Sequence, residues 1–490
     1  MRTTAIHLIL IFLAIVAVFG RSLAAGLTWD DEDLIVLNPH VAEGQPAGLA
    51  WHWTHEHERL YIPVVYTIWW CISAAAGVNP PFFHAANLLV FVGCCWLLYF
   101  LLRRLIGNPW AALGGALLFA LHPLQVEPVA WATGMKDLSC TFFSLAAILL
   151  YLRPRGYPWA TLCFIAAMLC KPAAVALPLV VAAIDLLLMD RPLRQVAWKT
   201  GLWLVGSAAM GILTLRVQPP MNLPMAPLWA RPLLAADALD WYLCKVLWPN
   251  PMAIDYGHTP LRVMSWHILG IPWIALAWMI PAALAGGLIY LRRPILTASA
   301  LIFALALLPV LGLQPFDFQR FSTVTDRYAQ FALVGPALAA AWLLSRSRIR
   351  GAFWATFSVL LVLAGISLVD AGYWRNDVTL YQHAVAVNPQ SLLGHNNLSG
   401  ALYRAGDRQA AAKEFAAVMR LAPGDPDAYI SLANFQLAMA RELKQGGDVH
   451  GEMQSLRQAV TLFNEGLKLQ PDNPIARQHL AEAKSLLGGQ

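Results

Sequence analysis

Charge is what this chain has least of. Only 13% of its 490 residues are Asp, Glu, Lys or Arg, too few to hydrate the surface of a soluble enzyme of this length. Cysteine is also sparse. Its seven positions, 71, 94, 95, 140, 163, 170 and 244, fall mostly inside apolar runs with no CxxC spacing, so a disulfide framework and a thiolate metal site are both disfavoured. No P-loop, GxGxxG, GxSxG or HExxH motif occurs, which leaves nucleotide hydrolysis, dinucleotide redox chemistry and zinc proteolysis without support. Ionisable residues are scarce in the middle of the apolar runs, where a transport path would need them. Asp185 is the nearest candidate, and it sits close to a run's end.

What is abundant is apolar surface: 58% of the residues are hydrophobic and 20 are Trp. The pattern predicts a polytopic all-α membrane protein. Apolar runs of about 17 to 23 residues give eleven expected spans, centred near residues 14, 93, 115, 145, 163, 180, 208, 279, 305, 336 and 361. Short basic clusters (Arg2; Arg103 and Arg104; Arg153 and Arg155; Arg191, Arg194 and Lys199; Arg292 and Arg293; Arg346, Arg348 and Arg350) recur after every second run. By the positive-inside bias they mark the cytoplasmic side, the N-terminus included, and an odd number of spans puts the C-terminal tail outside. These clusters are topological and give no sign of nucleic-acid binding. A cleaved signal ending near "SLAAG" is the alternative reading of the first run.

The expected external side carries the long connections. They run from Gly26 to Pro81, through "HPLQVEPVAWATGMKD" (His122 to Asp137), from Val217 to His267, and through "QPFDFQRFSTVTDRY" to Tyr328. The first opens with Asp30, Asp31, Glu32 and Asp33, more acids than a helix cap needs. One of Asp30 and Asp31 suits a general base that deprotonates an acceptor hydroxyl. A second acid would orient the acceptor or hold a divalent cation, and the second loop adds Glu127, Lys136 and Asp137 next to an expected span. Lys136, Lys171, Arg327 and Arg320 defy the orientation bias. Either they snorkel to the interface or they neutralise a phosphate at headgroup level. His52, His55 and His57 in "WHWTHEHERLY" are weak metal candidates, since no second ligand cluster accompanies them and an interfacial helix rich in Trp and His is the commoner meaning.

After Trp374 the composition turns polar, and a soluble domain is expected over residues 373–490, following a membrane domain over 1–372. Pro389 and Pro423 lie 34 residues apart, the tetratricopeptide period, and Leu398, Ser399, Leu402, Gly406, Ala411 and Phe415 fill the packing and turn positions of that helix pair. Pro471 follows 48 residues later, so the second unit carries about 14 extra residues, expected in "ELKQGGDVHG". The expected α-solenoid is half a unit, two units and a closing helix, with a groove for a protein partner.

The ordered blocks "TWDDEDLIVLNPHV", "YIPVVYTIWW", "HPLQVEPVAWATGMKDLSCTFFSLAAILLYL", "CKPAAVALPLVVAAIDLLL", "WYLCKVLWPNPMAIDY", "TDRYAQFALVGP" and "YWRNDVTLYQHAVAVNP" resemble bacterial membrane proteins with C-terminal tetratricopeptide repeats. Those are similar to the transmembrane and tetratricopeptide O-mannosyltransferases. The resemblance implies a GT-C glycosyltransferase that moves a sugar from a polyprenyl phosphate carrier to a hydroxyl on a secreted protein or envelope glycan, outside the cytoplasm, with inversion. Under it the base falls on Asp30 or Asp31, the second acid on Asp137 beside Lys136, and the later "KP" on Lys171. The "DRY" block supplies Asp326, Arg327 and Tyr328. The chain departs from that pattern at Leu34, Ile62, Lys136 and Pro172, which bears on donor identity and headgroup contacts. The rival reading is a non-catalytic membrane scaffold whose repeats recruit envelope proteins.

Overall fold

The computed structural model describes residues 2–218, 226–347 and 351–488; Arg348 and Arg350 of the last basic cluster lie outside them. The chain divides into two compact units, Met1–Asn376 and Asp377–Gln490. Nearly everything is helical. Among the described residues the one pair of strands is the short antiparallel hairpin His267–Ile268 with Ile271–Pro272, and His57 and Leu60 form an isolated antiparallel bridge.

The first unit is a layered helical body of a multi-pass membrane protein. Its main helices are α1 (Arg2–Phe19), α2 (Pro63–Ala76), α3 (Pro80–Ile106), α4 (Pro109–Leu121), α5 (Met135–Tyr151), α6 (Tyr157–Cys170) and α7 (Leu177–Leu188). They continue with α8 (Leu193–Val217), α9 (Arg231–Leu247), α10 (Met279–Leu291), α11 (Pro294–Leu307), α12 (Val334–Arg346) and α13 (Ala352–Asp370). Among the described residues, six helical stretches are long and apolar enough to cross a bilayer: Arg2–Ala24, Pro80–Ile106, Ala132–Tyr151, Leu193–Val217, Trp273–Leu291 and Ala352–Arg375. A seventh arises if Pro109–Leu121 and Pro123–Ala130, bent by 60°, are counted as one. Eleven had been expected. Proline accounts for three of the five missing runs, because it removes a helix donor and clashes with the preceding turn. Pro123 ends α4, Pro172 precedes α7, and Pro309 lies beyond the end of α11, leaving these apolar runs at 12 to 14 residues of α-helix. The expected first loop also contains an apolar helix that was not foreseen, α2, with Tyr66 and Trp69 fully buried.

Helix ends obey their local sequence. Gly107 closes α3 at φ +76°, and Asn108 then caps α4 by accepting from the amides of Trp110 and Ala111 at 3.0 and 3.1 Å, a turn that only a left-handed residue followed by a capping side chain makes easily. α3 packs on α4 and α5, α5 on α6, α7 on α11, and α11 on α12. α3 and α5 both run from an end that meets the first loop, where His84 reaches the Gly26 carbonyl, to an end where Arg103 donates to Thr4 and Arg104 to the Leu152 carbonyl. The acidic turn and these basic residues therefore sit at opposite ends of the body.

The second unit stacks six helices: α14 (Asp377–Val387), α15 (Leu392–Arg404), α16 (Arg408–Leu421), α17 (Pro426–Gln445), α18 (Val449–Leu469) and α19 (Pro474–Gly488). Each packs on the next in sequence, and α15 also meets α17 and α17 meets α19. Ser391, Asp407 and Asp448 cap their helices through the amides of Gly394, Ala410 and Gly451. The extra fourteen residues are not a loop. α17 and α18 have 20 and 21 residues against 13 and 14 for α15 and α16, so each is two turns longer, while the turn keeps the same Gly-Asp chemistry at Gly406-Asp407 and Gly447-Asp448.

Candidate functional site

The acidic turn follows the end of the first span and folds back onto the second connection. Asp31 is fully buried, and both its oxygens accept main-chain N–H groups at 2.8 Å, one from Thr28 in its own turn and one from Thr133 across the gap. The Trp131 indole donates to the Thr28 carbonyl, and its ring stacks on Trp29 at 4.9 Å and 19°. Trp29 is held at φ +56°, a left-handed backbone that bulky residues rarely adopt, and strain of this kind gathers at functional sites. Asp31 is thus a clamp between two loops. Burial pushes its carboxyl up to about 7 against the two N–H donors that hold it down. Asp30 is different: half-buried, with its side chain in no hydrogen bond among the described residues.

Lys136, at the start of α5, is where the pieces converge. Asp30, Asp137, Lys171 and Arg327 all lie close enough to act on its charge. Its ammonium rests 4.7 Å over the Trp131 ring and makes no ion pair among the described residues. Asp137 instead pairs with Lys171, whose ammonium also lies 5.1 Å over the Tyr328 ring. One oxygen of Asp137, the expected second acid or metal ligand, is thereby occupied by the Lys171 ammonium.

Glu127 is buried and committed to one partner loop. It takes the Arg327 guanidinium at 2.5 Å, the Arg327 amide at 3.0 Å and the Thr325 hydroxyl at 3.1 Å. The guanidinium is boxed by Phe318, Tyr328, Trp29 and Trp131, with ring centroids 4.4 to 5.8 Å away. A cation so desolvated and hydrogen-bonded is fixed in place. Asp326 turns away from Lys136 and accepts from the Tyr256 hydroxyl at 2.9 and 3.0 Å. Its carboxyl is pushed well above its ordinary range by burial and then by the Glu127 charge. It tethers the third connection rather than joining the convergent group.

The three histidines do not converge. His52 is buried flat against Tyr66 at 4.0 Å, His55 stacks on Trp51, and His57 reaches the Asp33 carbonyl. Among the described residues no group of three His, Cys, Asp or Glu is placed to hold a metal ion.

Beside the cluster opens a narrow cleft between α5, α7 and α11. Asp137, Lys171, Arg327 and Tyr328 give its lining charge and polarity, and Ala176, Leu177, Ala306, Val310 and Phe331 line the rest of it with apolar surface. Three features of this site escaped the sequence reading. One is the aromatic box, for which the Trp content of the loops was the available signal. Another is the polar stripe Asp137, Thr141 and Ser144, legible as spacings of four and three along an apolar helix. The third is Gln330, which nothing in the pattern marks.

No family model matches the chain. Among curated proteins its relatives are protein O-mannosyl-transferases. The human protein O-mannosyl-transferase TMTC4 is 24% identical over 81% of this chain and 64% of its own length. Drosophila melanogaster Tmtc2 is 30% identical over 34% of this chain and 20% of its own, and human TMTC1 is 32% identical over 26% and 16%. The chain thus spans under two thirds of the length of the relatives it matches.

Proposed function

We propose that this chain is a membrane glycosyltransferase of GT-C type that moves a monosaccharide from a polyprenyl phosphate donor to a hydroxyl on a protein or envelope glycan, outside the cytoplasm. The observation that carries the reading is the convergence of Asp30, whose side chain makes no hydrogen bond among the described residues, with Lys136, Lys171 and Arg327, the last two lining a cleft that has both polar and apolar walls. Such a cleft suits a charged headgroup on a lipid tail. The printed names of the relatives supply the reaction class.

In this reading the acceptor hydroxyl attacks the anomeric carbon while Asp30 removes its proton. The carbon–oxygen bond to phosphate breaks, the electron pair leaves with the lipid phosphate, and the configuration inverts. Lys171 and Arg327 are already fixed by Asp137 and Glu127, so their field meets the developing phosphate charge without reorganising. Lys136 is the one of the three that makes no ion pair among the described residues. Asp31 supplies geometry, not proton transfer. The second unit, read as a tetratricopeptide array, presents the acceptor.

Glycan mass profiling of envelope proteins tests this with cells that carry the wild-type chain, a deletion, or Asp30→Asn at matched protein level. One sugar increment is expected to vanish in both the deletion and the variant, with transfer lowered about 10²–10⁴-fold, the usual weight of a general base. An increment that the deletion loses and Asp30→Asn keeps would favour the scaffold reading.

A further inference from the structure

Two buried polar atoms in the walls of the cleft have no protein partner: Oδ2 of Asp137 and Nε2 of Gln330. Both residues are at most 5% exposed. Their other atoms are engaged, Asp137 by Lys171 and the Gln330 carbonyl oxygen by the Thr141 hydroxyl at 3.0 Å. With the hydroxyl donating to the amide oxygen, the NH₂ is the spare end. Buried polar groups are nearly always satisfied, and one orphan acceptor and one orphan donor on the same cleft is a specific combination.

Geometry brings the two together. Asp137 and Thr141 are four residues apart on α5, so their side chains lie one above the other on one face about 5–6 Å apart at Cβ, and Gln330 is bonded to the second of them. Ser144, one turn farther, continues the stripe into the same cleft. An ionised phosphate would satisfy the amide but be repelled by the carboxylate. A hydroxylated ring satisfies both, since each hydroxyl donates and accepts. The cations that suit the phosphate, Lys171 and Arg327, line the same cleft.

On the reading of the site as a lipid-phosphate sugar site, we propose that Gln330, anchored by Thr141 and facing Asp137, is the specificity-determining residue that reads the hydroxyls of the donor's sugar ring. Lys171 and Arg327 hold the phosphate. The stripe separates a hexosyl donor from the bare carrier, and it discriminates sugars by the position of a hydroxyl. A site built on buried hydrogen bonds rejects an analogue that lacks one of them far more strongly than an apolar pocket does.

The test measures affinity of the full-length, detergent-purified chain for two probes, a short polyprenyl phosphate and the same lipid phosphate carrying a hexose. Wild type is expected to bind the hexosyl lipid more tightly. Gln330→Leu should remove most of that increment, about tenfold, while the bare lipid phosphate still binds, which also shows that the fold survives. Thr141→Val, which frees the amide to rotate, should give a smaller loss of the same kind and carries the test if Gln330→Leu does not accumulate. Lys171→Met should weaken both probes together. An increment kept in both Gln330→Leu and Thr141→Val, a wild type without any increment, or an equal loss for both probes in Gln330→Leu would overturn the assignment. If the wild type binds neither probe, the reading of the cleft as a lipid-phosphate site fails first.

Discussion

Asp30 and Asp31 are the same side chain at neighbouring positions, and the turn gives them opposite employment. Asp31 has both oxygens filled by main-chain N–H groups from two loops, while Asp30 stands half-buried beside Lys136. Sequence alone marked the pair and could not divide it, because the division depends on Thr133, a hundred residues away. A pH dependence follows from Asp31. Its folded carboxyl titrates near 7 because of burial, while the unfolded chain titrates near 3.8. Between those values the folded state binds more protons, so stability falls as pH rises through that window and levels off above about 7. Asp31→Asn should make this slope shallower, and should lower stability by about 1–3 kcal/mol at the acid end of the window, since one N–H then faces an amide NH₂, with the deficit shrinking as pH rises toward 7. Melting of the purified protein at pH 4.5 and 7.5 reads both effects. Asp30→Asn should leave the melt near wild type. If Asp31→Asn melts normally and loses transfer, the roles of the two acids are exchanged.

At the scale of elements, the placement of Lys136 depends on how tightly the short helix Val126–Ala130 folds against the start of α5. Gly134 permits it. A Cβ there would lie 2.8 Å from the Pro128 carbonyl carbon and 2.9 Å from its Cα, and backbone on that side has no rotamer with which to yield. Gly134→Ala should therefore cost about 1–3 kcal/mol of overpacking and displace Glu127 from Arg327 on one side and Lys136 from Trp131 on the other, so that affinity for lipid phosphate falls together with stability. Gly211→Ala in α8 meets no atom within 4 Å and should be neutral or slightly stabilising, the ordinary effect of losing glycine's freedom in a helix. Equal melts for the two variants would dismiss the close approach. The apolar centres of these elements were legible, because hydrophobicity accumulates over a whole run. Their lengths were not, because one proline such as Pro123 or Pro172 decides whether a run crosses straight or breaks. α2 was missed since its "VVYTIWWCIS" lies inside a connection already defined by its acids and histidines.

At the scale of the whole molecule, the chain joins a lipid-solvated body to a stack with a core of its own. In the second unit Leu456, Ala459, Phe463, Ala476 and Ala483 are fully buried against one another, together with Ala433 and Leu437. The lengthened α17 and α18 enlarge this contact by two turns each, where a looped insertion would have added none. The polar surface and short caps of this unit were readable from composition and from the 34-residue proline period; the helical nature of the insertion was not, since "ELKQGGDVHG" holds the adjacent pair Gly446 and Gly447, which mimics a loop. They occupy only the turn, with Gly447 at φ +78°, and the flanking residues propagate the helices. A stack whose helices find their partners within 114 residues should fold without the membrane body. The fragment spanning residues 377–490 is therefore expected to be a soluble helical monomer with one cooperative thermal transition by circular dichroism. Phe463→Ala, at a fully buried position between α18 and α19, should lower its stability by about 3–5 kcal/mol. That is a large share of what so small a helical unit possesses, so the variant should melt far below the parent or fail to fold at 37 °C. A fragment that is unfolded alone, yet helical when the membrane body is present, would mean that the stack draws its order from outside its own core, and acceptor presentation would then belong to the joined molecule instead of to a separable module.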